Sequence, residues 1–134
     1  MSRISARAAA MQLVYEKLLG GESDGETLRD LIAFVPEDDD EDYIRDVVDG
    51  VTTYSDDIDS RIQTLSTSRD IERISRVDLS ILRVALYEIL YRKSDPDSAV
   101  INEAVTLANR FSEPAGSRLI NGILGSVVRG KPVE

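Results

Sequence analysis

The chain has 134 residues, of which 42% are hydrophobic and 31% charged, and its formal net charge is −9. It contains no cysteine and no histidine, which excludes disulfides, thiolate and imidazole catalysis and zinc sites of the usual ligand types. The apolar runs are too short for a membrane span and the N-terminus lacks a signal-peptide core, so we expect one soluble cytoplasmic domain over residues 1–134.

Two helices are predicted in the first part of the chain. Apolar residues recur every three or four positions from about Ser5 to Leu19, which is the pattern of a helix with one buried face. Gly20 and Gly21 are expected to end this helix. A short second helix with apolar positions between Leu28 and Val35 has to stop before Pro36.

A third helix is expected to begin at the three aspartates at positions 38–40, because a helix N-terminus favours negative charge. Its apolar stripe runs from Tyr43 to Val51. Gly50 and the hydroxyl residues after it indicate a break or a kink. A fourth helix then follows, with apolar positions from Ile58 to Leu65.

Three further helices are predicted in the second half. The segment from Ile74 to Tyr91 has the widest apolar arc, as expected for the helix that is most surrounded by others. Pro96 breaks the chain before a helix whose apolar face runs from Ile101 to Phe111, and Pro114 precedes the last helix, with its stripe from Ile120 to Val128. The sequence therefore predicts an all-α compact helical bundle of six to seven helices.

The negative charge is concentrated in one stretch of the chain. Residues 21–60 carry fifteen acidic and two basic groups, a net charge of −13, whereas residues 1–20 and 61–134 each have a net charge of +2. A local anion site is therefore compatible with the overall acidity. No glycine-rich phosphate-binding motif occurs, so we expect neither an enzyme nor a cofactor.

Three stretches carry a resemblance to a known family. They begin at Ser5, Leu82 and Val100 and read SARAAAMQLVY, LRVALYE and VINEAVTLANRF, and the last continues into RLINGIL at Arg118. Together with YIRD at Tyr43, their order and spacing resemble the NusB family of transcription antitermination factors over nearly the whole chain. The resemblance implies an all-helical fold of two packed three- to four-helix subdomains.

The resemblance also implies a function and partners. A factor of this kind binds boxA-type single-stranded RNA together with NusE, a ribosomal small-subunit protein. The pair joins an RNA polymerase elongation complex during ribosomal-RNA transcription, and the factor itself performs no chemistry. The resemblance leaves open whether the chain forms a homodimer.

The predicted RNA contacts are mostly arginines. Cations in the first turn of a helix oppose its dipole, so Arg3 and Arg7 have a reason to be there if a phosphate approaches. The alternative is two solvated surface arginines. Arg73 and Arg76 are spaced to share a face with Arg69, although local ion pairing is an equal alternative. The predicted RNA-binding residues are Arg3, Arg7, Gln12, Arg73, Arg76, Arg118 and Asn121.

The resemblance also implies a surface for the protein partner, and its predicted residues are Tyr15, Leu19, Asp78, Phe111 and Leu119. Asp78 is expected to pair with a basic group of the partner, and Phe111 to be exposed because its helix ends there. For Leu19 and Leu119 a place in the core is about equally expected. Outside this set, Asn102 and Glu103 are interpreted as capping residues of their helix.

Two other interpretations remain open. The acidity and the small number of N-terminal arginines fit a helical protein-interaction or dimerisation module that has lost RNA binding. A NusB-like domain also occurs in ribosomal-RNA cytosine methyltransferases, but an active enzyme of that class needs a cysteine nucleophile and a cofactor-binding domain. This chain has neither.

Overall fold

The computed structural model describes residues 3–20, 38–66 and 70–130. Within these ranges lie six α-helices: α1 (Arg3–Leu18), α2 (Asp38–Thr53), α3 (Ser55–Leu65), α4 (Arg76–Tyr87), α5 (Asp97–Phe111) and α6 (Pro114–Val128). A 3₁₀ turn (Ile71–Arg73) precedes α4, and a π-helical turn (Glu88–Arg92) continues it. The described residues contain no strand, which confirms the all-α class. The helix predicted between Leu28 and Val35 lies outside the described residues, as does Arg69.

Local sequence explains several helix boundaries. Gly20, just after α1, and Lys93, just after the π-helical turn, adopt left-handed backbone conformations, with φ of +87° and +55°, which end the two helices. The hydroxyl oxygen of Ser75 caps α4 because it accepts a hydrogen bond of 3.1 Å from the backbone N–H of Asp78. Pro114 occupies the first position of α6, where its missing N–H costs nothing.

The break predicted over Gly50 and the hydroxyl residues after it is confirmed at the hydroxyl residues but not at Gly50. Helix α2 continues through Gly50 to Thr53, and the chain breaks at Tyr54 instead. The glycine serves packing, because a Cβ atom there would lie 2.1 Å from Cε1 of Tyr87. Gly50 therefore allows α2 to approach the end of α4 closely.

Helix α4 is the centre of the bundle, as the sequence predicted. It contacts α1, α2, α3, α5 and α6, and its side chains of Ile81, Leu82 and Leu86 are among the most deeply buried. Helices α1 and α2 pack against each other, α5 packs against α6, and α4 joins the two pairs. Within the described residues, these two helix pairs correspond to the two packed subdomains that the resemblance implies. No helix in the described ranges is long and apolar enough to cross a membrane.

Two contact points fix the direction of α1 relative to α4. Near the start of α1, Arg7 contacts Glu88, which follows the last residue of α4, and also Glu103 in the first half of α5. Near the end of α1, Leu18 lines a cavity together with Arg83 of α4. Helix α4 therefore runs antiparallel to α1.

The start of α4 meets the turn between α5 and α6. A Cβ atom at Gly116 would lie 2.2 Å from Oγ of Ser112 and 2.6 Å from Oδ1 of Asp78, so this turn packs directly on the first turn of α4. We call this the Asp78 end of the bundle, and the opposite end, around Arg7 and Glu88, the Arg7 end. The end of α1 and the end of α5 both lie towards the Asp78 end.

Candidate RNA and protein interface

Arg7 lies in the interior of the bundle, with only 2% of its surface exposed. Its Nε donates a hydrogen bond of 2.6 Å to Oε2 of Glu88, and its Nη2 donates one of 2.9 Å to Oε1 of the same carboxylate. Glu103 and Asp95 each accept a further hydrogen bond of 2.5 Å from Arg7. Burial alone lowers the pKa of Arg7, but hydrogen bonding and charge attraction from Glu88 outweigh this and raise the pKa above its ordinary value.

These contacts correct two expectations. Arg7 is neither open to a phosphate nor a solvated surface arginine, because three carboxylates occupy its guanidinium inside the bundle. Glu103 is not a capping residue. It lies in the second turn of α5, which begins at Asp97, and it holds Arg7.

Arg3 is the predicted RNA residue that remains accessible at the Arg7 end. Its side chain is 38% exposed, and its Nε lies 3.3 Å from Oδ2 of Asp95. Its guanidinium also lies 4.2 Å from the centre of the Tyr43 ring, which is a cation–π distance. Arg3 therefore combines a structural role with partial exposure.

The other predicted RNA residues are exposed, and they are Gln12, Arg73, Arg76, Arg118 and Asn121. Within the described part of the chain, no ion pair involves Arg73, Arg76 or Arg118. Arg76 comes two residues before Asp78, and Arg118 comes two residues after Gly116, so both lie at the Asp78 end. The sixteen residues of α1, which begins at Arg3 and runs towards the Asp78 end, span about 24 Å.

The apolar residues of the predicted partner surface lie towards the same end. Phe111, the last residue of α5, is 48% exposed, as its position at a helix end predicted, and Leu19, just after α1, is 50% exposed. Tyr15 and Leu119 are half-buried. The guanidinium of Arg110 lies 5.0 Å from the centre of the Phe111 ring, so a basic group borders this apolar surface.

Asp78 differs from these residues because it is buried, with 4% exposure. Its Oδ1 accepts no hydrogen bond from any described residue. The first turns of α4 and α6 both surround the carboxylate, and the N-terminal end of a helix stabilises negative charge. The expected surface pairing of Asp78 with a basic partner therefore needs correction, since the side chain supports this end of the bundle from within.

A stack of three tyrosines was not predicted. The rings of Tyr54 and Tyr91 lie 3.9 Å apart and nearly parallel, and the Tyr87 ring lies 6.0 Å from that of Tyr91. The hydroxyl of Tyr87 donates to Asp46 at 3.0 Å, and that of Tyr91 donates to Asp57. Burial and the hydrogen bond to Asp46 raise the pKa of Tyr87 to about 12. The hydrogen bond from Tyr91, together with Arg61, holds the pKa of Asp57 below its ordinary value.

Comparison with known sequences agrees with the fold. A family model described as the NusB family matches residues 4–129. The chain is 39% identical over 132 residues to the transcription antitermination protein NusB of Finegoldia magna, covering 98% of this chain and 96% of that protein. It is also 39% identical over 132 residues to the protein of the same name from Acetivibrio thermocellus, covering 98% and 91%.

Solved structures share the fold of this chain. NusB of T. maritima superposes with a TM-score of 0.86 at 24% identity, over 96% of this chain and 92% of that one. A chain from a crystal structure of antitermination factors NusB and NusE in complex with double-stranded RNA superposes with a TM-score of 0.83 at 24% identity, over 96% and 97%. Because the family model matches residues 4–129 and relatives of that name are 39% identical over nearly the whole chain, the chain belongs to the NusB family of transcription antitermination proteins.

Proposed function

We propose that this antitermination factor binds boxA-type single-stranded RNA jointly with NusE, as part of an RNA polymerase elongation complex that transcribes ribosomal RNA in the cytoplasm. The observation that carries the proposal is the convergence of two kinds of side chain at the Asp78 end. Exposed arginines without an ion pair among the described residues lie there, and so do exposed apolar side chains at helix ends. One end of the bundle can therefore hold an RNA and a protein together.

A solved relative supports this partnership. A solved structure contains NusB and NusE in complex with double-stranded RNA, and a chain of that structure has the same fold as this chain. The preference for single-stranded boxA-type RNA is an expectation from the family resemblance and is not taken from that complex. No catalytic step is part of the proposal.

The charge of the chain explains why RNA binding would need the protein partner. A net charge of −9 repels phosphates, and the exposed Arg76 and Arg118 give only a local positive potential at the Asp78 end. A basic partner bound beside these arginines adds positive potential. We therefore expect the isolated chain to bind RNA weakly and the complex with NusE to bind it much more tightly.

The arginines at the Asp78 end test the RNA part of the proposal. Each phosphate neutralised on a single strand contributes about −0.7 to the slope of log affinity against log salt concentration. If Arg76 and Arg118 each contact a phosphate, the double change to alanine flattens this slope by about 1.4 in the complex with NusE. Arg45→Ala is the matched control, because Arg45 is an exposed arginine on α2 that pairs with Glu41. An unchanged slope in the double variant would move the RNA surface elsewhere.

Phe111 tests the protein part of the proposal. An aromatic anchor near the centre of an interface costs about 2 kcal/mol or more of binding free energy when it is truncated to alanine. Phe111→Ala is expected to weaken NusE binding by that amount while the thermal unfolding transition stays nearly unchanged. Val128→Ala, at another exposed apolar residue, is the control. A collapsed thermal transition with unchanged NusE affinity per folded molecule would show that Phe111 serves only the fold.

A second candidate function is a helical protein-interaction or dimerisation module without RNA binding. The burial of Arg7 among carboxylates favours it, because this removes one of the two N-terminal arginines from any RNA surface. Absence of binding to boxA-type RNA, even with NusE present, would select this candidate. Sedimentation of the isolated chain would then show whether it forms a homodimer.

A further inference from the structure

The tyrosine stack forms a partly exposed aromatic surface where the α2–α3 junction packs on the π-helical turn. Tyr91 lies in the π-helical turn that also contains Glu88, and Tyr54 connects α2 to α3. Tyr54 is 41% exposed, although Tyr91 covers one face of its ring at 3.9 Å. Part of the Tyr54 side chain is therefore available to a ligand.

Tyrosine, arginine and carboxylate side chains already combine in this region. The guanidiniums of Arg3 and Arg92 lie 4.2 and 4.9 Å from the centre of the Tyr43 ring. Arg92 also contacts Asp46 at 2.6 Å. Tyr43 is buried, so this arrangement lies inside the bundle, but it shows that a guanidinium can lie next to a tyrosine ring and within reach of a carboxylate in this protein.

Several carboxylates of α2 and α3 are paired with arginines, namely Asp46 with Arg92, Asp57 with Arg61 and Asp59 with Arg83. Two other carboxylates close to Tyr54 in the sequence form no ion pair among the described residues. Asp49 and Asp56 are exposed on either side of Tyr54 in the sequence. The side chain of Asp57 is 44% exposed although it accepts hydrogen bonds from Tyr91 and Arg61. These carboxylates can accept hydrogen bonds from a cationic ligand.

We propose that Tyr54, stacked on Tyr91 and flanked by Asp56 and Asp57, is a docking surface for an arginine-containing segment of a basic protein. An arginine side chain can place its planar guanidinium against the exposed part of the Tyr54 ring and donate hydrogen bonds to a neighbouring carboxylate. A lysine makes a weaker match because its ammonium group is compact and strongly hydrated. We call this surface the Tyr54 platform.

The charge selects this occupant over two others that an exposed tyrosine also suits. A nucleobase can stack on Tyr54, but its phosphates would meet the acidic side chains of α2 and α3. A second copy of the chain would bring a surface with the same net negative charge against the first. A basic protein segment meets neither repulsion.

Binding of short peptides to the full chain tests the proposal. The probe is a peptide of arginine and glycine, compared at one salt concentration with a peptide in which lysine replaces each arginine and with an oligouridine. NMR spectra of the tyrosine-labelled protein report which rings are contacted, and Tyr54→Phe assigns the signal of Tyr54. We expect the arginine peptide to shift the Tyr54 and Tyr91 ring signals and to bind more tightly than the lysine peptide.

Two pairs of variants separate the platform from general attraction between a cationic peptide and an acidic protein. Tyr54→Ala is expected to weaken binding of the arginine peptide about fivefold, as for the loss of one exposed cation–π contact, whereas Tyr54→Phe keeps the affinity. Asp56→Asn is expected to weaken binding more than Asp97→Asn, which removes an exposed carboxylate at the start of α5.

Three results would overturn the proposal. The first is equal affinity of the arginine peptide for the wild type and for Tyr54→Ala. The second is equal binding of the arginine and lysine peptides. The third is a larger shift of the Tyr54 and Tyr91 signals with oligouridine than with the arginine peptide, which would make the platform a nucleic-acid surface.

Discussion

Replacing Arg7 by alanine is expected to destabilise the fold severely. In the wild type, the Arg7 guanidinium is bound by both carboxylate oxygens of Glu88 and by one oxygen each of Asp95 and Glu103. Alanine removes the cation and leaves three carboxylates facing the gap. Glu88 is the most affected because it is only 2% exposed, and water cannot replace the lost partner there.

The burial of the pair sets the size of the effect. Removing one partner of a buried ion pair costs about 3–5 kcal/mol, because the other charge stays buried without compensation. The side chains of Asp95 and Glu103 are 22% and 25% exposed, so water relieves part of their repulsion. A domain of ordinary stability has a free energy of unfolding of about 5–15 kcal/mol, so this single change removes a large share of it.

Urea denaturation at neutral pH, followed by helical circular dichroism, measures the loss. Arg7→Lys is expected to fall between the wild type and Arg7→Ala, because an ammonium group cannot bind Glu88 through two parallel hydrogen bonds. The double variant Arg7→Met with Glu88→Leu is expected to recover most of the stability, since it removes both buried charges. A loss below about 1 kcal/mol for Arg7→Ala, the range of a surface ion pair, would refute the reasoning.

Three further predictions concern the packing and protonation of the core. Tyr87→Phe is expected to lower the free energy of unfolding by about 1 kcal/mol through loss of a hydrogen bond to the Asp46 carboxylate. An unchanged or higher free energy of unfolding in urea denaturation would contradict this. The pKa of Tyr87 is raised to about 12, and those of Tyr43 and Tyr91 are also raised. The contribution of these tyrosines to the free energy of unfolding is complete below their pKa of about 10 in the unfolded chain, and it is lost as the pH rises through their pKa values in the folded protein. The free energy of unfolding is therefore expected to fall between about pH 10 and 12, and a free energy that stays constant over this range would count against the prediction. Gly50→Ala is expected to lower the free energy of unfolding by about 1–3 kcal/mol because the added Cβ would clash with the Tyr87 ring. Gly122→Ala has open space around its Cβ and is expected to be neutral or to stabilise the fold by up to about 1 kcal/mol. Thermal denaturation of the two variants gives the comparison.

The helices could be predicted because their signals are local. Apolar periodicity placed the central segment between Ile74 and Tyr91, and the structure has α4 and the π-helical turn there. Proline and glycine marked the ends of most described helices. Gly50 misled the prediction because glycine suits both a break and a close approach. The approach depends on Tyr87, which is far away in the sequence.

Part of the candidate site could also be predicted. The exposure of Phe111 followed from its place at a helix end. The burial of Arg7 is indicated by its helical spacing, since Arg7 lies four residues before Met11 and seven before Val14, on the apolar face of α1. Glu88 likewise lies seven residues after the buried Ile81. Two charged residues at core positions indicate a buried ion pair, but which residues pair depends on the packing of α1 against α4.

The remaining site features depend on tertiary contacts for which the sequence offers no local pattern. Asp78 is buried because Gly116 brings the first turn of α6 against the first turn of α4. Tyr87 and Tyr91 are spaced to share a helix face, but Tyr54 joins them only through the packing of the α2–α3 junction on the π-helical turn. Such contacts are visible only once the helices are placed.

A titration of boxA-type RNA against the chain, with and without NusE at one fixed salt concentration, tests the central claim most directly. The acidic chain with its few exposed arginines is expected to bind RNA weakly when alone, and the complex with NusE is expected to bind much more tightly. A control RNA of the same length and scrambled sequence is expected to gain less from NusE. Equal affinity of the isolated chain and the complex for boxA-type RNA would contradict joint binding at the Asp78 end.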